Sequence, residues 1–260
     1  MDDNKNIRIV RGSQRFAGSP DRDIKLIPYI DADRRTLIQG NRNSVQDLKK
    51  IDFDKYDCII DMCLFNTSQF LLVNKFISSS TNYIFISSGA ADERYISKFD
   101  EYGINKRMVE KCLSITNINY KIARPSYIIG KGDHRSRLDY FISRLKNEKT
   151  IEINGSGNHL INFVFIQDVV NCLLKLVKDN DRTYKTYNIC GDKSITINEL
   201  IKLLKIELNI VNHKTKNGKG ALFPNHTFKF DNSDIKNDYE ITFTDLKSGI
   251  KEYIQKTDEY

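Results

Sequence analysis

Short runs of β-branched and aromatic residues alternate along this chain with longer stretches of helical periodicity, and no other feature constrains the fold as much. The compact run Asp57-Cys58-Ile59-Ile60-Asp61-Met62 follows a helix-like stretch at 45–51. Residues 68–79 carry Phe, Leu, Val and Ile at helical spacing, and Tyr83-Ile84-Phe85-Ile86 is then a run of β-formers ending in Ser87-Ser88. The stretch 102–115 is again helical, and Tyr120-Lys121-Ile122-Ala123-Arg124 again strand-like. Apolar strands separated by helices need crossover connections, so the pattern predicts an α/β fold with a parallel sheet. Ligands of such sheets sit beyond the carboxyl ends of the strands, which puts Ser87 and Ser88 where chemistry is expected.

The pattern loosens after Gly130-Lys131-Gly132-Asp133. Helices are predicted at 138–145 and 168–177, with a strand at 163–166 between them. Thr196 with Glu199 three positions on forms a capping box that starts a further helix, and 214–220 reads as a basic loop. A chain of 260 residues, 40% hydrophobic and 29% charged, suits a globular protein with one core and a smaller lobe. It contains no apolar run long enough to span a membrane, and its start has no apolar signal region, so the cytoplasm is expected. The five cysteines form no C-x-x-C pair and read as reduced thiols, with Cys58 and Cys172 in apolar runs. None of the four histidines has metal-ligand spacing with another, so no metal site is predicted. The net charge of +7 is spread along the whole chain; nucleic-acid binding is not expected from it, whereas a doubly charged substrate would be drawn in.

The strongest chemical signal is Tyr102-Gly103-Ile104-Asn105-Lys106. Residues four apart share a helix face, so a phenol and an ammonium project together. A neighbouring ammonium favours the phenolate and is expected to lower the phenol from its usual value near ~10. Ser88, at a strand's carboxyl end, is placed to hydrogen-bond the same substrate oxygen. The three side chains would then serve proton transfer coupled to hydride transfer at a carbinol carbon.

In this order, with RPSYIIGKGD from Arg124, NFVFIQD from Asn162 and Tyr187-Asn188-Ile189 before Gly191, the chain resembles the extended short-chain dehydrogenase/reductase family of NAD-dependent epimerases and dehydratases over roughly 36–205. The resemblance implies a Rossmann-like sheet with helices on both faces, binding NAD or NADP within 1–130. It implies a smaller substrate lobe in 131–260, with a returning strand and helix at about 160–190 completing the core. Residue by residue it implies Tyr102 as acid/base, Lys106 on the nicotinamide ribose, Ser88 polarising the substrate oxygen and Asn41 beside the adenine ring. A nucleotide sugar is the implied substrate, and a homodimer is compatible with the resemblance.

The chain also departs from that family. No intact glycine-rich turn is present, and two readings of the start compete. In the preferred one, 6–12 is the family's second strand, Arg11 meets a 2′-phosphate, and the first strand with its turn is absent. In the other, Gly12-Ser13-Gln14-Arg15-Phe16-Ala17-Gly18 is a worn copy of the turn. Either way the pyrophosphate cradle is compromised and dinucleotide binding is expected to be weak or lost. Ser88 is followed by Gly89 and Ala90, where the family's 4,6-dehydratases carry Asp-Glu. Ile161 stands where an Arg often meets the substrate diphosphate, leaving Arg135 and Arg137 as substitutes. Three functions follow: a nucleotide-sugar epimerase or reductase, inactive if its start is truncated; a non-catalytic binding protein on the same scaffold; and an RNA-binding relative, since a branch of the family related to chloroplast RNA-binding proteins binds RNA on this fold.

Overall fold

A computed structural model describes residues 7–10, 38, 40–95, 101–133, 135–181, 184–218 and 222–258. Five strands form the central sheet: β1 (Ile7–Val10), β2 (Cys58–Asp61), β3 (Asn82–Ile86), β4 (Tyr120–Pro125) and β8 (Lys185–Ile189), side by side in that order. Every pairing between them is parallel. The expected α/β architecture is therefore present. Its cause is visible in the burial: all four residues of β2 are buried, as a strand covered on both faces must be.

Successive residues serve opposite layers. Ile59, Tyr83, Phe85 and Ile122 pack with Phe70 and Val73 of α2 (Thr67–Val73) and with Val109 and Leu113 of α3 (Glu101–Leu113). Cys58, Ile60, Ile84 and Ala123 point the other way, toward Val169, Cys172 and Leu176 of α5 (Ile166–Lys178). Phe70, Tyr83 and Phe85 are wholly enclosed, and burying each such side chain stabilises by about 1.5–3 kcal/mol.

The register of β1 bears on the start of the chain. Ile7 pairs with Cys58 and Val10 with Asp61, so β1 borders β2 directly. In a doubly wound sheet of order 3-2-1-4-5-6, the strand bordering the fourth is the first. The family resemblance implies that β2 is the fourth strand, which gives β1 the first place in that order and not the second place preferred for 6–12. Arg11 and the stretch 12–18 lie outside the described residues.

A second group of elements packs around an aromatic core of Tyr95, Phe141, Phe163, Phe223, Phe228 and Phe230. It comprises β5 (Tyr127–Ile129), α4 (Arg137–Lys146), β6 (Ile151–Ile153), β7 (Leu160–Phe165), β9 (Ser194–Thr196), α6 (Ile197–Glu207), β10 (Thr215–Asn217) and α8 (Leu246–Asp258). The strand expected near 163–166 is β7, which joins β5 and β9 in a separate three-stranded sheet. The capping box at Thr196 and Glu199 is formed as read. The stretch expected as a basic loop instead contains β10, paired in parallel with β6. Its residues are all exposed, so no apolar alternation announced it. Between these groups α7 (Ser233–Tyr239) packs Ile235 and Tyr239 against the α5 side of the main sheet. Among the described residues, no helix is long and apolar enough to cross a membrane.

Candidate active site

Ser88 lies just beyond the end of β3. It caps a single 3-10 turn, Gly89–Ala91, through its Oγ, which accepts from the Ala90 N–H at 3.2 Å. The turn needs glycine at its first position: a Cβ on Gly89 would stand 2.5 Å from Cζ of Phe230 and 2.9 Å from Cζ of Phe228. Those rings belong to a segment that Tyr95 binds twice over. The Tyr95 hydroxyl donates to the Lys229 carbonyl at 2.9 Å and accepts from the Lys229 N–H at 3.2 Å.

Helix α3 presents Tyr102, Lys106 and Glu110 four residues apart, on one face. The structure brings the Tyr102 phenol beside Ser88, whose hydroxyl favours the phenolate. The Tyr102 side chain is 39% exposed and its ring packs near Phe65, centroids 6.5 Å apart. Burial pushes its phenol up, and Ser88 works in the opposite direction. Lys106 is almost wholly buried. Its Nζ donates to the Ile86 carbonyl at 2.8 Å and lies 4.9 Å from the Phe85 ring centre, 5.2 Å from Phe65 and 5.8 Å from Tyr102. Burial lowers its ammonium to about 8, while Asp61 and Cys63 favour the charge. The expectation that Lys106 would lower the Tyr102 phenol is therefore corrected. Burial disfavours the charged form of both groups, and the ammonium spends its described hydrogen bond on Ile86.

Glu110 anchors the same helix face to the sheet edge. Its buried carboxylate accepts from Ser87 Oγ at 2.6 Å, from Arg124 Nε and Nη2 at 2.8 and 2.5 Å, and from Arg107 Nη1 at 3.2 Å. A bidentate, charge-assisted pair of this kind fixes geometry as well as energy. Arg124 also reaches Asp92 at 3.7 Å. Nothing in one sequence shows that the buried charges of Glu110 and Arg124 meet.

Asn41 lies in an exposed turn, its Oδ1 accepting from the Asn43 N–H at 2.9 Å and its N–H donating to Asp47 at 2.9 Å. Its neighbour Arg42 forms a bidentate pair with Asp61 at the carboxyl end of β2, at 2.9 and 2.8 Å. Ser88, Tyr102 and Lys106 thus converge, the described hydrogen bonds of Asn41 stay within its own turn, and Arg11 is outside the described residues. The residues present fit the reactive end of a nicotinamide dinucleotide: two hydroxyls meet beside an ammonium with three donors, of which Ile86 takes one. Ile161 is buried. Arg137 is held by Asp133 at 2.8 Å, while Arg135 stays exposed.

The sequence pattern of the family described as "NAD dependent epimerase/dehydratase family" matches residues 46–190. A Methanocaldococcus jannaschii protein with the provisional name UDP-glucose 4-epimerase is 28% identical over 70% of this chain and 55% of its own length. The chloroplast stem-loop binding protein of 41 kDa b from Arabidopsis thaliana is 26% identical over 37% of this chain and 26% of its own. The chain therefore spans about half or less of the curated relatives it matches. Among solved structures, the UDP-glucose 4-epimerase of Thermotoga maritima superimposes with a TM-score of 0.68 at 19% identity, over 84% of each chain.

Proposed function

Because the chain belongs to the NAD dependent epimerase/dehydratase family, we propose that it interconverts carbinol and carbonyl at one carbon of a nucleotide sugar, by keto reduction or epimerisation, in the cytoplasm. The observation that carries this reading is the approach of Tyr102 to Ser88 at the sheet's carboxyl edge, with Lys106 one helical turn on and its ammonium 5.8 Å from the Tyr102 ring. A bound NAD or NADP supplies or accepts the hydride. The protein's own residues manage the oxygen. Tyr102, whose phenol is raised by desolvation, donates its proton to a carbonyl oxygen in reduction and takes it back in the reverse direction. Ser88 hydrogen-bonds that oxygen and fixes its direction. Lys106 turns its remaining donors toward the ribose hydroxyls, as the family resemblance implies. Dehydration is disfavoured: Gly89 and Ala90 carry no acid or base, and Glu93 is engaged by Arg107.

With no intact glycine-rich turn in the sequence, the pyrophosphate finds few preorganised N–H donors, so the dinucleotide is held weakly. The test uses UDP-glucose, UDP-galactose and their 4-keto derivative with millimolar NAD(H) or NADP(H), followed by proton NMR of the anomeric signals. Turnover that Tyr102→Phe and Ser88→Ala both abolish supports the reading. Absence of turnover at saturating dinucleotide leaves the non-catalytic scaffold instead. The stem-loop-binding relative favours a second reading as an RNA-binding protein. Tight, sequence-selective RNA binding at physiological salt would establish that one, whereas scattered lysines give only weak, steeply salt-sensitive association.

A further inference from the structure

The amino edge of the main sheet, opposite Ser88, carries a cleft that hydride transfer does not use. Two single 3-10 turns, Phe53–Lys55 ahead of β2 and Asn74–Phe76 ahead of β3, bring their phenylalanines together, ring centres 5.7 Å apart and 22° from parallel. Between the two segments runs an open cleft of about 550 Å³. Ser88 follows the other end of β3, five residues or roughly 17 Å along the strand. The floor of the cleft is apolar. Phe53 and Ile77 are buried in it, while Ile51 and Phe76 are half-buried and still present carbon to a ligand. Its rim is cationic, with Lys49, Lys50 and Lys75 all exposed. Lys50 is engaged by Asp47 at 2.5 Å, and the rim carboxylate Asp52 is engaged by Lys55 at 3.0 Å. Among the described residues Lys49 and Lys75 make no ion pair, and Asp54 is the one carboxylate of the lining outside one. Small-molecule sites commonly have this make-up, roughly 300–1,000 Å³ of mainly apolar lining with a few polar groups.

We propose that this cleft is a second ligand site, for a small molecule that joins a planar apolar ring to a single phosphate group. The ring lies against Phe76 and Ile51, where an offset stack adds to the burial of apolar area. Phe53 supports Phe76 from beneath. The phosphate faces Lys49 and Lys75, whose ammonium groups are not already spent on carboxylates. Asp54 on the same rim repels any further negative group, so a lone phosphate suits the cleft better than the phosphate chain of a nucleic acid. Each exposed ion pair contributes little by itself, so the ring and the two lysines act together.

Calorimetric titration of the full chain with 2-naphthyl phosphate, 2-naphthol and inorganic phosphate tests this. The ester should bind at least about tenfold more tightly than either fragment, since it alone uses both the floor and the rim. Lys49→Glu and Lys75→Glu should each weaken the ester by about three-fold or more and leave 2-naphthol unchanged. Phe76→Leu should weaken both naphthyl ligands and leave inorganic phosphate unchanged. Lys202→Glu, at an exposed position of α6, and Tyr102→Phe should leave the ester's affinity as it was. The substituted lysines are exposed, so these variants keep the fold, which far-ultraviolet circular dichroism checks. The proposal is overturned if the ester shows no saturable binding or binds no more tightly than inorganic phosphate. It is equally overturned if Lys202→Glu weakens the ester as much as Lys49→Glu and Lys75→Glu do, or if Tyr102→Phe removes its binding. Since neither dinucleotide nor sugar enters the assay, its failure is separate from any failure of the hydride-transfer reading.

Discussion

Glu110→Ala removes the acceptor of four hydrogen bonds at once and leaves the Arg124 guanidinium, whose side chain is 11% exposed, with Asp92 at 3.7 Å as its ion-pair partner. Breaking a buried pair from one side costs about 3–5 kcal/mol, because the surviving charge stays buried. Glu110→Gln keeps the shape and loses only the charge assistance, a cost of about 1.5–3 kcal/mol. With a urea slope of about 2–3 kcal/mol/M, the alanine variant should lower the unfolding midpoint by about 1–2 M, measured by far-ultraviolet circular dichroism. Replacing both partners removes the orphan, so Glu110→Ala with Arg124→Met should recover at least half of that loss. A drop below about 1 kcal/mol for the single variant, or a double variant whose losses simply add, would refute the claim that this pair fixes α3 to the sheet edge.

Three other outcomes are expected. Lys106→Met should stabilise the fold by about 2 kcal/mol at pH 7. The folded amine titrates at about 8 against 10.5 for a free lysine, so its burial cost is full below pH 8 and fades as pH rises to 10.5; paired melts at pH 7 and pH 10 should show the gain shrinking. Gly89→Ala should cost about 1–3 kcal/mol through overpacking, and adding Phe230→Leu should return most of it, as thermal melts of the three proteins would show. Calorimetric titration with NAD and NADP should find affinity weaker than micromolar, and micromolar binding of either would mean that the start of the chain rebuilds a pyrophosphate cradle.

The alternation of apolar runs and helical stretches was enough to read the sheet, because a strand buried on both faces must be apolar throughout. Helix α3 and its Tyr102–Lys106 face were legible for the same kind of reason, since spacing on a helix dictates which side chains share a side. The environment of those side chains was not. Spacing shows that an ammonium stands near a phenol, but it does not show that the ammonium is buried or that desolvation raises the Tyr102 phenol instead of lowering it. Arg42 meets Asp61 from 19 positions away, Arg124 meets Glu110 from 14, and the Phe230 ring meets Gly89 from much further; no local pattern encodes such meetings. β10 was missed because an exposed strand carries no apolar alternation.

The two hydrogen bonds between Tyr95 and Lys229 join positions 134 apart in the chain, and this separation bears on the order of assembly. Contacts between distant positions form late, after the entropy of closing a long loop has been met. During synthesis the strands from β1 to β4 leave the ribosome long before Phe228 and Phe230 do. The turn after Ser88 then waits with its glycine face uncovered until those rings arrive. The first four strands of the sheet are thus free to collapse early, while the serine at its edge acquires its final setting only once the segment carrying Phe228 and Phe230 has been made.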